Sequence, residues 1–246
     1  MRIYTSEFAH DYGTYSFGYT LHAALEENDN PKLPYESGFL PYSANPNAYN
    51  LLYMARSVRV PVKEFDPSSE NRRVFKKFDG LATSEVVPRE ELANDAEFQK
   101  LFLDYFETRH GKKIMGEERL QGLLKTVLPL RGIRYRDQNG ELIAAVFEPA
   151  GENWAHFWFP AYRVDFIGKS LGMWLMLDAI RRAAADGRDH LYLGTAYGEK
   201  ARYKLNVPQL EFWDGMMWAR DEEELKRRMK EDGERVKEAA SRFALR

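Results

Sequence analysis

The candidate side chains for chemistry in this chain are arginines, lysines, tyrosines and a histidine, and it contains no cysteine. That excludes disulfides, thiolate metal sites, iron–sulfur clusters and a thiol nucleophile. Arg72 and Arg73 stand together with Lys76 and Lys77. A guanidinium fork can grip both oxygens of a carboxylate or of a phosphate; the same run also reads as a solvated helix face. Arg59 sits in an alternating stretch that points it away from its valine neighbours. Tyr203 and Lys204 follow a short apolar strand ending at Gly194, a place where loops carry sites. There Lys204 could meet a phosphate or carboxylate, or form a surface ion pair, and Tyr203 could simply pack. Arg109 and His110 close a helix, where cations complement the dipole. His110 is also the first candidate for a general base, because an unperturbed imidazole titrates near neutrality. His10, His22, His156 and His190 lack ligand-like spacing and read as structural or surface residues, so no zinc signature is present. Neither a Gly-x-Ser-x-Gly elbow nor a Walker phosphate loop occurs.

The elements that must position these residues follow from periodicity. Tyr15 to Ala23 reads as a strand or the start of a helix, Asn28 to Pro34 as a turn, and Gly38 to Ala48 as a loop. Val58, Val60 and Val62 alternate in strand fashion, and Pro61 suggests an edge strand or irregular pairing. Ser68 or Ser69 can cap a basic helix running through Phe78. Phe98, Leu101, Phe102, Tyr105 and Phe106 mark one face of a helix that Gly111 stops. A further helix is expected from Glu117 to about Leu128. Ile133–Tyr135 and Leu142–Phe147 flank Asn139-Gly140, a hairpin signal. Trp154 to Phe159 predicts a third strand ended by Pro160. Leu171 to Ala185 predicts a broadly apolar helix packed on a sheet, and His190 to Gly194 a short buried strand. Phe212 to Ala219 predicts another strand, and the charged tail from Asp221 a solvated helix. Hairpin, long helix, strand is the order of an acetyltransferase-like core. The fold class is therefore α/β (α+β): a GNAT-like mixed sheet with a central helix, plus a smaller N-terminal α+β part. The expected division is 1–128 and 129–246, with the boundary near Leu128 to Arg131.

Four blocks of sequence, in order, resemble the arginyl- and leucyl-tRNA–protein transferases of the N-end rule. The first, from Ser57 to Phe78, contains Arg59, Val60, Pro61, Val62, Phe65, Pro67, Ser68, Arg72 and Arg73. The second is FLDYFETRH, with Phe102, Tyr105, Arg109 and His110. Ser170 to Gly172 forms the third. The fourth places Tyr192, Leu193, Gly194, Tyr203, Lys204 and Pro208. Together they span about Ser57 to Trp213. The chain departs from the family before the first block, where members carry a cysteine cluster. Phe39 to Arg56 offers Tyr42, Tyr53, Met54 and Ala55 instead, and such side chains cannot hold a soft metal as thiolates do.

The resemblance implies transfer of an amino acid from aminoacyl-tRNA, used as co-substrate, to the amine of a protein or peptide acceptor that begins with an acidic residue. The ester is already activated, so much of the rate can come from holding amine and carbonyl in line. A neutral amine, a proton acceptor and donors for the oxyanion supply the rest. On this reading His110, Tyr203 and Lys204 are the catalytic candidates. Arg59, Arg72, Arg73, Arg109, Tyr192 and Gly194 are the substrate-binding ones. No cofactor is expected, neither iron–sulfur nor zinc.

Acids and bases nearly balance, with a formal net charge of −2, so a polyanion must be met by a local basic patch rather than by an overall field. Met1 to Gly13 lacks the apolar core of a signal peptide, and no stretch has the length of a membrane span. The cytoplasm is the expected location. Two other readings remain open. One is an acyl-CoA N-acyltransferase on the same fold, although Asp165 and Ser170 replace two key places of the pyrophosphate-binding turn in DFIGKSLG. The other is a non-catalytic relative that binds tRNA or a peptide.

Overall fold

The computed structural model of the chain describes residues 1–6, 20–43, 45–111 and 115–244. His10, and the part of the Tyr15 to Ala23 element before Thr20, lie outside them. The chain begins with β1 (Arg2–Ser6), β2 (Thr20–Ala24), the short helix α1 (Lys32–Glu36), β3 (Leu40–Pro41) and β4 (Leu51–Met54). These strands form an antiparallel sheet in the order β1-β2-β4-β3. Next come β5 (Ser57–Pro61), α2 (Ser69–Phe78), β6 (Ala82–Pro88), α3 (Arg89–Leu92), α4 (Ala96–His110) and α5 (Glu117–Leu124). The hairpin of β7 (Leu130–Asp137) and β8 (Leu142–Pro149) is followed by β9 (Trp154–His156), β10 (Phe159–Tyr162) and α6 (Leu171–Ala185). Finally come β11 (His190–Thr195), β12 (Glu211–Trp213), β13 (Trp218–Ala219) and α7 (Glu222–Ala244). A second antiparallel sheet runs β10-β8-β7-β6, and a mixed sheet runs β13-β12-β5-β11-β9, in which β9 and β11 are parallel.

Periodicity explains the helices that frame the sheets. On α4 the aromatic face is buried, and Phe102 meets Phe147 of β8 with ring centroids 4.5 Å apart. Gly111 ends that helix at φ +87°, a left-handed conformation that costs glycine little. Leu171, Trp174, Leu175, Met176, Leu177 and Ile180 of α6 are buried against β10, β11 and α2. The main apolar cluster draws residues from Val58 to Met229, on both sides of Leu128. A second cluster ties the first sheet to β9 and β11 through Tyr35, Leu52, Trp154 and Tyr192. Among the described residues, no helix is long and apolar enough to cross a membrane.

Ser68 caps α2 with a reciprocal box: its hydroxyl accepts from the Asn71 backbone at 3.2 Å, and the Asn71 side chain accepts from the Ser68 N–H at 3.1 Å. Ser68→Ala should therefore cost about 1 kcal/mol, read as a lower denaturation midpoint; an unchanged midpoint would show that the cap contributes nothing.

Two expectations are corrected and one pair of alternatives is decided. The third strand does not end at Pro160. It breaks at Phe157–Trp158, and Pro160 lies inside β10, where an edge position tolerates a missing donor. Of the two readings of Pro61 the edge strand is excluded, since β5 lies between β12 and β11, and irregular pairing is what is found. The proline is tolerated because Val62 N–H donates to Asp189 O, so by alternation the Pro61 nitrogen faces β12, which registers only with Val58 and Arg59. The helix expected to reach Leu128 ends at Leu124. Val127 N–H turns to Tyr49 O, and Leu128, which precedes Pro129, is disfavoured in helical conformation.

Candidate functional site

One extended run serves two sheets. The N–H of Phe157 donates to Tyr192 O of β11 at 2.9 Å, whereas the next N–H, of Trp158, donates to Phe147 O of β8 at 3.2 Å. From that point β10 follows β8 while β11 continues paired only with β5, so the two sheets part. A cavity of about 230 Å³ lies at the opening, walled by Phe157 to Pro160 on one side and Leu193 to Thr195 on the other. Leu40, Pro41, Ser43 and Tyr53 from the first sheet cover it, and the 3-10 helix Glu199–Asn206 contributes Lys200, Ala201, Tyr203 and Lys204. No carboxylate is among these lining residues.

Lys204 is a strongly perturbed base in the cavity. It is 8 % exposed, and its Nζ donates to the carbonyl of Thr195 at 2.7 Å. Burial without a counter-charge penalises the ammonium, and the pKa falls to about 7. Gly194, at φ +81°, makes room for it: a Cβ there would stand 3.2 Å from Nζ. Tyr203, half exposed, lies at the mouth. His156 is 1 % exposed and also lines the cavity. Its Nδ1 is 3.0 Å from the Tyr35 hydroxyl, and its Nε2 has no hydrogen-bond partner among the described residues. Burial, then the charge of Lys204, holds its pKa well below the ordinary imidazole value.

Of the residues singled out from sequence, the fold thus brings Gly194, Tyr203 and Lys204 into one cavity. The others lie elsewhere. Arg59 is bound to Glu211, Nε to Oε2 at 2.7 Å, with its guanidinium 4.2 Å from the Trp218 ring centre. Tyr192 is buried beside it, against Tyr35. Arg72 and Arg73 are exposed on α2, where Arg72 donates to Pro67 O and Arg73 pairs with Glu70. Arg109 is exposed at the end of α4. His110 stacks 6.2 Å from Phe106 and does not line the cavity. Burial, then Arg109, Arg119 and Lys200, lowers its pKa. Sequence reasoning set His156 aside as structural. The available signal was a lone polar residue inside WAHFWF, but only the distant Tyr35 gives it meaning.

Among the described residues, no group of three or more His, Asp or Glu side chains could hold a metal ion. Asp165, which stood against a pyrophosphate at the start of α6, is held by Arg163 through paired 3.0 Å hydrogen bonds, and this lowers its pKa.

Residues 69–205 match the acetyltransferase (GNAT) domain family. An aspartate/glutamate leucyltransferase from Parvibaculum lavamentivorans is 30% identical over 161 residues, covering 63% of this chain and 65% of that protein. One from Hyphomonas neptunium is 30% identical over 179 residues, covering 68% and 69%. The chain therefore spans about two thirds of the length of these relatives. The C-terminal domain of a putative lysylphosphatidylglycerol synthetase from Agrobacterium fabrum superposes with a TM-score of 0.44 at 14% identity, over 57% of this chain and 46% of that one.

Proposed function

The chain belongs to the acetyltransferase (GNAT) domain family, and from that premise we propose that it is an aminoacyl-tRNA-dependent transferase. It moves an amino acid, leucine by the naming of its relatives, onto the amine of a protein or peptide that begins with Asp or Glu. The observation that carries this reading is Lys204: a buried amine with a pKa of about 7, in a cavity with no carboxylate among its described lining residues. While Lys204 Nζ donates to Thr195 O, its neutral form keeps a lone pair for a proton. The acceptor amine attacks the ester carbonyl, the new C–N bond forms, and the C–O bond to the ribose breaks. Lys204 takes the proton lost by the amine and returns it to the leaving ribose oxygen, so the base is regenerated. Gly194 leaves space for this amine, and Tyr203 flanks the entrance. Arg72, Arg73 and Arg109, being exposed, meet tRNA phosphates; the weak surface pair between Arg73 and Glu70 is readily exchanged for such a contact. The reaction needs no resident cofactor and takes place in the cytoplasm, where charged tRNA is found.

The test is transfer of labelled amino acids from a mixed pool of charged tRNAs to peptides beginning with Asp, Glu, Arg, Lys or Ala, with labelled acetyl-CoA run in parallel. Leucine should move to the Asp and Glu peptides. Label moving only from acetyl-CoA would replace this reading with an ordinary acyl-CoA N-acyltransferase.

A further inference from the structure

Tyr35 and His156 are 121 residues apart in sequence, yet the fold leaves the phenol 3.0 Å from Nδ1, with both residues buried. That contact fixes where the ring carries its proton. A phenol has one proton to donate, and Nδ1 is the only hydrogen-bond partner of the Tyr35 hydroxyl among the described residues. Donation to Nδ1 satisfies it and leaves only the Nε2 N–H unpartnered, whereas the reverse arrangement would leave both the buried O–H and the Nε2 lone pair unpartnered among the described residues. Nδ1 is therefore the acceptor. Burial and the nearby Lys204 keep the ring neutral, and a neutral imidazole that accepts at Nδ1 holds its proton on Nε2. Nε2 is the buried ring atom left without a partner among the described residues. His156 lines the cavity and Tyr35 does not, so the unpartnered side of the ring is turned from the phenol.

We propose that His156 is a catalytic residue that presents Nε2–H to the carbonyl oxygen of the ester and holds the oxyanion formed there, with Tyr35 as the residue that fixes the tautomer. The assignment rests on the reading of this cavity as the transfer site. It divides the labour. Lys204 moves the proton from the amine to the ribose oxygen. His156 gives up no proton, because negative charge gathers on the carbonyl oxygen as the C–N bond forms and leaves it as the C–O bond breaks. A preorganised donor in a dry site suits such transient charge. A positively charged ring could not lie comfortably beside Lys204, whereas a neutral one can.

The tautomer can be read without substrate. Long-range proton–nitrogen spectra of the ¹⁵N-labelled protein, with His156→Gln identifying the signal, should show a neutral ring protonated at Nε2 at neutral pH. Tyr35→Phe should mix the two tautomers. In the transfer assay His156→Leu should lower kcat roughly 10²–10³-fold with KM little changed, and His156→Gln, which keeps an N–H, should retain more activity than Leu. Both variants should keep the rise in rate near pH 7 set by Lys204. A ring protonated at Nδ1 or doubly protonated at neutral pH would overturn the assignment, as would wild-type kcat in His156→Leu. Loss of the pH limb in His156→Gln would make the ring the base, and would overturn it too. If the wild-type protein moves nothing from tRNA, the reaction is wrong and the oxyanion role falls with it; the spectra alone separate that outcome from a wrong tautomer.

Discussion

Replacing Lys204 with Met should stop transfer and, in the same protein, raise the melting temperature. The two effects share one cause. In the fold the amine titrates at about 7, whereas in the unfolded chain it titrates near its ordinary value of about 10.4. Between those values the unfolded chain binds a proton that the folded chain does not, so stability rises with pH across the window. Below pH 7 the cost of burying the amine is complete. Met fills the same space without a charge and removes that dependence. The gain near neutral pH is on the order of a few kcal/mol, less about 1 kcal/mol for the hydrogen bond lost at Thr195 O. At about 2–4 °C per kcal/mol for a chain of this size, the shift is several degrees. Loss of the base should lower kcat about 10²–10⁴-fold. Lys204→Arg should not restore activity, because a guanidinium stays charged. Thermal melts at pH 6 and pH 9, with the rate profile across the same range, check both halves. A flat wild-type profile, or a Met variant within tenfold of wild type, would remove Lys204 from the mechanism.

Glu148→Ala should destabilise the fold strongly. Glu148 is 1 % exposed and bridges two arginines: Oε1 accepts from Arg131 at 2.9 and 2.6 Å, and Oε2 from Arg182 at 3.1 Å. Arg182 also reaches Asp178, which accepts from the Tyr135 hydroxyl at 2.9 Å. The network ties β7 and β8 to α6, the helix packed against β10 and β11. Removing the carboxylate takes from Arg131 and Arg182 their shared buried counter-charge and leaves each with one aspartate that is less buried or shared, Asp186 and Asp178 respectively; breaking such a buried pair costs about 3–5 kcal/mol. The melting temperature should fall by roughly 10 °C. Glu148→Gln, which keeps an acceptor, should fall by less. A drop of a degree or two in the Ala variant would mean that solvent or Asp186 compensates.

Much of the framework is legible in the sequence because local patterning agrees with tertiary packing. The helical spacing from Phe98 to Phe106, the apolar run of α6 and the Asn139-Gly140 turn are instances. Where local pattern is weak, the structure supplies what sequence hides. β6 reads ATSEVVP, and Thr83, Ser84, Glu85 and Val86 are all exposed at the sheet edge, so no alternation marks it. Break and continuation in the Trp154 to Tyr162 run depend on which neighbour each backbone group meets, and no residue type encodes that choice. The site shows the same division. Gly194, Tyr203 and Lys204 are close in sequence and could be gathered from the region after one strand. His156 could not, since its significance requires Tyr35 from the other end of the chain. The arginines mislead for the opposite reason: guanidinium chemistry is visible in sequence, but Glu211, which occupies Arg59, is not.

The parting of the sheets at Phe157 and Trp158 is made by main-chain hydrogen bonds, which are indifferent to the side chains beside them. The opening and its contents are therefore separately heritable. Substitutions at the walls can change what the cleft accepts while the forked strand preserves the cleft itself. Selection can thus trial new donors on this scaffold one residue at a time, with little risk to the architecture that holds them.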